Sequence, residues 1–148
     1  YDVRVVLELA AVRKLCEAAS EPDLNELTAV WLAPAEKRIR EANAVCELDE
    51  AFHQTLVSAT GNPELARIHG EVSERIRIIR RLDFTQPERI DTTYDEHAQI
   101  LRCVIERRLD QAATLLLSHI EASKSVVRQI TLHRLQCAHD AIERRRSA

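Results

Sequence analysis

Methionine is absent from the 148 residues, glycine occurs only twice and proline four times, and the aromatics are one Trp, two Tyr and two Phe. So few turn residues exclude a sandwich or barrel, whose many short strands need frequent tight turns. No apolar run approaches the roughly 20 residues that span a bilayer as a helix. The first residues lack the charged and apolar regions of a signal peptide, so the chain is read as cytoplasmic. Charge of one sign is also missing. A formal net charge of -3 creates no field that would draw in nucleic acid or an anionic membrane, and this piece is not expected to grip DNA alone. The four cysteines, Cys16, Cys46, Cys103 and Cys137, form no C-x-x-C pair; each lies in or beside an apolar helical pattern and reads as a buried free thiol. With no methionine and an opening at Tyr1 inside a helical pattern, the chain reads as a fragment with something missing before Tyr1.

What is present is 45% apolar and 30% charged residues, a composition that suits a helical protein, in a length that suits one domain over residues 1–148. No segment alternates with period two, and there is no repeat. Helical periodicity marks six segments. The first, about 2–19, carries Val5, Leu9, Val12, Cys16 and Ala19 and stops before Pro22. The second, about 23–42, carries Leu24, Leu27, Val30 and Trp31, with Pro34 expected to kink or split it. The third, about 45–59, carries Val45, Leu48, Phe52 and Leu56 and ends at Gly61-Asn62-Pro63, where glycine can cap one helix and proline open the next. The fourth, about 63–82, carries Leu65, Ile68, Val72, Ile76 and Ile79, before a polar break at Asp83 to Glu88. The fifth, about 89–107, carries Ile90, Tyr94, Leu101 and Val104. The sixth starts near Asp110 as N-cap and continues toward Leu135 and Ile142, whole or broken. These segments predict an all-α, antiparallel bundle of about six helices.

Asp49 and His53 stand four apart on the third segment, so their side chains emerge one turn apart on one face. His97 falls on the apolar stripe of the fifth segment. His119 falls on the stripe Ala112, Leu116, Ser123 and Val126 of the sixth. A single inward histidine is usually a core residue with one hydrogen bond, but two of them plus an Asp–His pair on three helices point to a metal site built inside a bundle. One carboxylate and three imidazoles suit a divalent ion, zinc first, with nickel, manganese and iron also open. His69, His133 and His139 show no such arrangement and are read as solvated or half-buried.

Several strings together carry a family resemblance: Leu48-Asp49-Glu50-Ala51-Phe52-His53-Gln54-Thr55-Leu56, Gly61-Asn62-Pro63-Glu64-Leu65, Glu96-His97-Ala98-Gln99-Ile100-Leu101 and Ser118-His119-Ile120, with the opening Arg4-Val5-Val6-Leu7-Glu8. In that order they resemble the FCD domain, the C-terminal effector-sensing domain of the FadR subfamily of GntR-type bacterial transcription regulators, over roughly residues 1–128. Pro34 and the long tail after Arg128 depart from that pattern. The resemblance implies that Asp49, His53, His97 and His119 hold a divalent metal and that a small carboxylate effector completes its coordination. It also implies a homodimer that meets operator DNA through an N-terminal winged helix-turn-helix domain, absent from this sequence.

An anionic effector in a largely apolar cavity needs a cationic partner besides the metal. Arg4, which matches the arginine near the start of the family's domain, and Arg75, nearest the apolar stripe of the fourth segment, are the candidates. Against them, Arg4 can pair with Glu8 one turn away, and Arg75 with Arg77, Arg80 and Arg81 can form a solvated face. Ligand sensing competes with two other functions. One is a metal-dependent, hydrolase-like enzyme with Glu50 or Glu96 as base; the other is a bundle whose metal is structural. No H-E-x-x-H is present and Glu-x-x-His occurs once, at Glu50 to His53, so a di-iron centre fails on the count and the expectation is a non-enzyme.

Overall fold

The computed structural model describes residues 1–81, 84 and 87–146; at 87, 134, 135 and 138–146 only the helical backbone is described. Six α-helices account for the regular structure of the described residues, with no strand among them: α1 (Asp2–Glu17), α2 (Asn25–Trp31), α3 (Ala42–Ser58), α4 (Pro63–Arg80), α5 (Pro87–Ile105) and α6 (Leu109–Arg146). Positions 82, 83, 85 and 86, inside the expected polar break, lie outside the described residues. No described helix is long and apolar enough to cross a membrane.

Local chemistry explains the boundaries. Pro34 splits the second segment: α2 ends at Trp31, a single 3-10 turn covers Ala35–Lys37, and extended backbone leads into α3. Glu41 caps α3 by accepting from the backbone N–H groups of Asn43 (2.9 Å) and Ala44 (2.6 Å). Between α3 and α4, Gly61 takes a φ of 67°, Asn62 accepts from the N–H groups of Glu64 and Leu65, and Pro63 occupies the first helical position. Asp110, expected as an N-cap, instead lies in the first turn of α6, where its charge complements the helix dipole. The sixth helix is continuous to Arg146; the side chains of Leu135, His139 and Ile142 lie outside the described residues.

The core runs through α1, α2, α3, α5 and α6 and includes Val12, Leu15, Leu27, Trp31, Phe52, Leu56, Tyr94, Leu101, Leu116 and Ile120. Cys16, Cys46 and Cys103 are buried free thiols, but Cys137 is exposed, because α6 has by then run past the helices that cover its earlier turns. A helix as short as α2 has no stability of its own. It is held by Trp31, whose ring centroid lies 5.6 Å from Phe52, 4.9 Å from Tyr94 and 4.2 Å from His97. The strap after it is pinned to α5: Ile39 N–H donates to the Tyr94 hydroxyl at 3.1 Å, Arg38 pairs with Asp95 and Arg40 with Asp91.

Two helices turn a different face inward from the one their apolar residues suggest. On α1 the buried residues are Arg4, Glu8, Ala11, Val12, Leu15 and Cys16: of the expected stripe Val12 and Cys16 are buried, but Val5 and Leu9 are only half-buried and Ala19 is exposed beyond the helix. On α4 the buried residues are His69, Ser73 and Arg80, while Ile68 and Ile79 are exposed and Ile78 is 81% exposed.

Trp31→Ala is expected to cost about 3–5 kcal/mol of unfolding free energy, since a buried aromatic is lost and a cavity opens beside Phe52 and His97. Urea unfolding checks it; a loss under about 1 kcal/mol would show that α2 is not anchored by this ring.

Candidate metal centre

Asp49 and His53 leave α3 one turn apart, His97 comes from α5 and His119 from α6, and all four are buried. One donor atom from each lies within 4.8 Å of all the others. His53 Nε2 is 3.2 Å and His97 Nε2 3.3 Å from His119 Nε2. The Oδ1 of Asp49 stands 3.3 Å from His97 Nε2, 3.6 Å from His53 Nε2 and 3.8 Å from His119 Nε2. Nitrogen and oxygen ligands at zinc-like bond lengths form a tetrahedron with edges of about 3.3 Å, so a group with these spacings could hold one ion. Three imidazoles and a carboxylate, without thiolate, fit a borderline divalent metal.

The surroundings set the charge state. Burial disfavours the ionised form of Asp49, but the Arg80 guanidinium bonded to its Oδ2, with the His53 and His97 rings against its Oδ1, outweighs that, and its carboxyl lies well below the usual range. Burial likewise opposes ionisation of Glu8, yet His53, Arg4 and His69 hold it well below the ordinary value. Burial pushes His97 well below 6.5 and lowers His53 too, so both stay neutral with lone pairs free for a cation. Burial, with Asp49 nearby, raises the Cys46 thiol to about 11, leaving it inert.

Behind the four donors lies a second layer. Glu8 on α1 takes contacts from Arg4, from His53 Nδ1 at 2.5 Å and from His69 Nε2 at 3.0 Å; His69 Nδ1 lies 2.9 Å from Gln54 Oε1. Glu96 Oε2 sits 2.6 Å from His119 Nδ1 and 2.8 Å from Arg89 Nη1. His97 Nδ1 has no hydrogen-bond partner; its ring stacks on Phe52, 3.8 Å away and 9° from parallel.

The structure therefore brings Asp49, His53, His97 and His119 together. Arg4 also lies inside, 1% exposed, on the Glu8 partner weighed for it. Arg75 is exposed on α4 and does not reach the centre; Arg80, one of the cluster read as a solvated face, is the arginine that does. The reading of His69 as solvated or half-buried is also corrected: it is fully buried against Glu8. His133 is exposed, and the side chain of His139 lies outside the described residues. Glu50, weighed as a base, is bonded to Arg77, and Glu96 is engaged by His119 and Arg89. Glu8, Arg80, His69 and Glu96 were missed as parts of one network. The available signal was spacing: Glu8 follows Arg4 by four, and Arg80 follows His69 and Ser73 by eleven and seven, both whole numbers of turns to within a fraction of a residue.

A family model for the FCD domain matches residues 1–122. A protein named Nta operon transcriptional regulator, from Aminobacter aminovorans, is 33% identical over 121 residues, covering 82% of this chain and 56% of that protein. The uncharacterized HTH-type transcriptional regulator YdhC of Bacillus subtilis (strain 168) is 30% identical over 122 residues, covering 80% of this chain and 54% of its own length. The chain thus spans about half the length of the curated relatives it matches. No solved structure gives a significant match.

The metal-free protein should lose stability in two stages on acidification. His97 in the folded state refuses a proton that the unfolded chain takes up at the ordinary 6.5, so its contribution is complete above 6.5 and declines as pH falls below it. Asp49 and Glu8, with folded values below their ordinary 3.8 and 4.5, contribute fully above those values and lose that contribution as pH falls through the folded ones. Melting temperature against pH is the check, and a flat profile down to about pH 4.5 would contradict the buried neutral imidazole.

Proposed function

Because the chain belongs to the FCD-domain family, we propose that it is the effector-sensing domain of a transcription regulator, reading a small carboxylate through a bound divalent metal. The observation that carries this reading is the cluster of four buried donors at the spacing of a coordination sphere. In it Asp49, His53, His97 and His119 hold the ion, zinc first among zinc, nickel, manganese and iron, and the ion supplies a Lewis-acidic anchor for the effector's carboxylate. A buried anion needs donors as well. Arg4 keeps a buried Nη2 with no hydrogen-bond partner, and Arg80 lies on Asp49 at the edge of the cluster; these two, and not the exposed Arg75, are the cationic partners.

Both curated relatives are named as transcriptional regulators, and the matched stretch is only 56% and 54% of their lengths, which supports a DNA-binding winged helix-turn-helix outside these residues as the route to operator DNA. The regulator acts as a homodimer, supported by exposed branched side chains on two helices that pack together: Val3 and Val6 on α1, Ile78 and Ile79 on α4. Regulation requires that the effector bind one dimer arrangement better than the other; equal affinity for both would shift nothing.

Elemental analysis of the purified chain is expected to find one divalent ion per chain, falling to background in His97→Ala; full occupancy in that variant would remove His97 from the site. Calorimetry with a panel of small carboxylates is expected to show binding by the metal-loaded form alone, with the acid recovered unchanged. Turnover would favour an enzyme, and absence of binding a purely structural ion. In sedimentation the chain should run as a dimer and the Val6→Glu, Ile78→Glu double variant as a monomer; a dimer in both would move the interface elsewhere.

A further inference from the structure

A buried ion pair on α1 stands where an apolar stripe would be cheaper. Arg4 and Glu8 are each 1% exposed, and removing two charges from water is justified only by what else they bind. Glu8 is the meeting point of three elements. Its Oε1 takes Arg4 from α1 and His69 from α4; its Oε2 takes His53 Nδ1 from α3 at 2.5 Å. A carboxylate can only accept, so the proton of the neutral His53 ring sits on Nδ1 and the lone pair on Nε2, the atom that faces Asp49 and His119. His119 is set in the same way by Glu96, but that carboxylate belongs to α5, which already carries His97. His97 has no carboxylate at its Nδ1, and on that side its ring takes its orientation from Phe52 and Trp31. Of the three imidazoles, His53 alone is oriented by a carboxylate from a helix that contributes no donor to the cluster.

Resting on the metal reading above, we propose that Glu8 is a positioning residue of the metal centre and the tie through which occupancy of that centre is felt in α1. With the ion bound, His53 is held on both sides, by the metal at Nε2 and by Glu8 at Nδ1. Restraint of the ring then restrains the carboxylate and the helix that bears it. Outer-layer carboxylates of this kind orient a ligating imidazole and raise its basicity.

The test uses Co(II) as probe on the chain as it stands, followed by its visible absorption and by hydrogen exchange resolved to each helix. Co(II) is expected to slow amide exchange across residues 4–12 of α1 as well as in α3, α5 and α6. Glu8→Gln, which keeps the shape and removes the charge, is expected to weaken Co(II) binding by about 10–100-fold. It should also shift the absorption bands and abolish the slowing in α1 at saturating Co(II) while leaving that in α3 and α5. If Glu8→Gln binds and protects like the unaltered chain, the inference falls and the metal reading stands. If the unaltered chain takes up no Co(II), the metal reading falls and the inference with it. Should Glu8→Gln fail to fold, the unaltered chain still decides: protection confined to α3, α5 and α6 overturns the tie to α1.

Discussion

Asp49 cannot remain ionised inside a helical bundle without cationic company, and much of this structure is arranged to supply it. Arg80 reaches in from α4 with that positive charge, and the neutral imidazoles of His53 and His97 close round the other oxygen. A buried charge stripped of its partner costs about 3–5 kcal/mol, which is why the partners are themselves buried and themselves tied. The same logic repeats at Glu8, held by Arg4 and two imidazoles. The result is a polar heart in a small domain, with α1, α3, α4, α5 and α6 all contributing to it.

Around that heart the apolar core does positional work. Trp31 and Phe52 form an aromatic wall against His97, the histidine with no carboxylate at its Nδ1, and Tyr94 packs on Trp31. The wall depends on α2, a helix of seven residues made possible by the Pro34 break and the strap that pins to α5. Donor geometry and core packing are therefore not separable here, since the ring that stacks on Phe52 also offers Nε2 to the cluster.

The polar interior has a cost at the surface. Because α4 spends its inward face on His69, Ser73 and Arg80, its isoleucines are displaced outward, and Ile68, Ile78 and Ile79 meet solvent. Val3 and Val6 on α1 do likewise while Arg4 and Glu8 point in. The polar groups inside and the branched side chains at the surface have one cause in this fold: each of the two helices has only one face to give to the core.

Helix count, the Pro34 break, the Gly61-Asn62-Pro63 turn and the four inward donors were legible in the chain itself, because proline, glycine and caps act locally and because α3, α5 and α6 keep apolar stripes on which Asp49, His53, His97 and His119 ride. The inner faces of α1 and α4 were not. Hydrophobic periodicity locates the core only where the core is apolar, and on these helices it pointed to Val5, Leu9, Ile68 and Ile79 while the interior took Arg4, Glu8, His69 and Arg80. Which of Arg75, Arg77, Arg80 and Arg81 turns inward, and that Glu8 meets His53 across forty-five residues, depends on how helices rotate about their axes when they pack. That rotation is decided by tertiary pairing of charges, which no local pattern encodes.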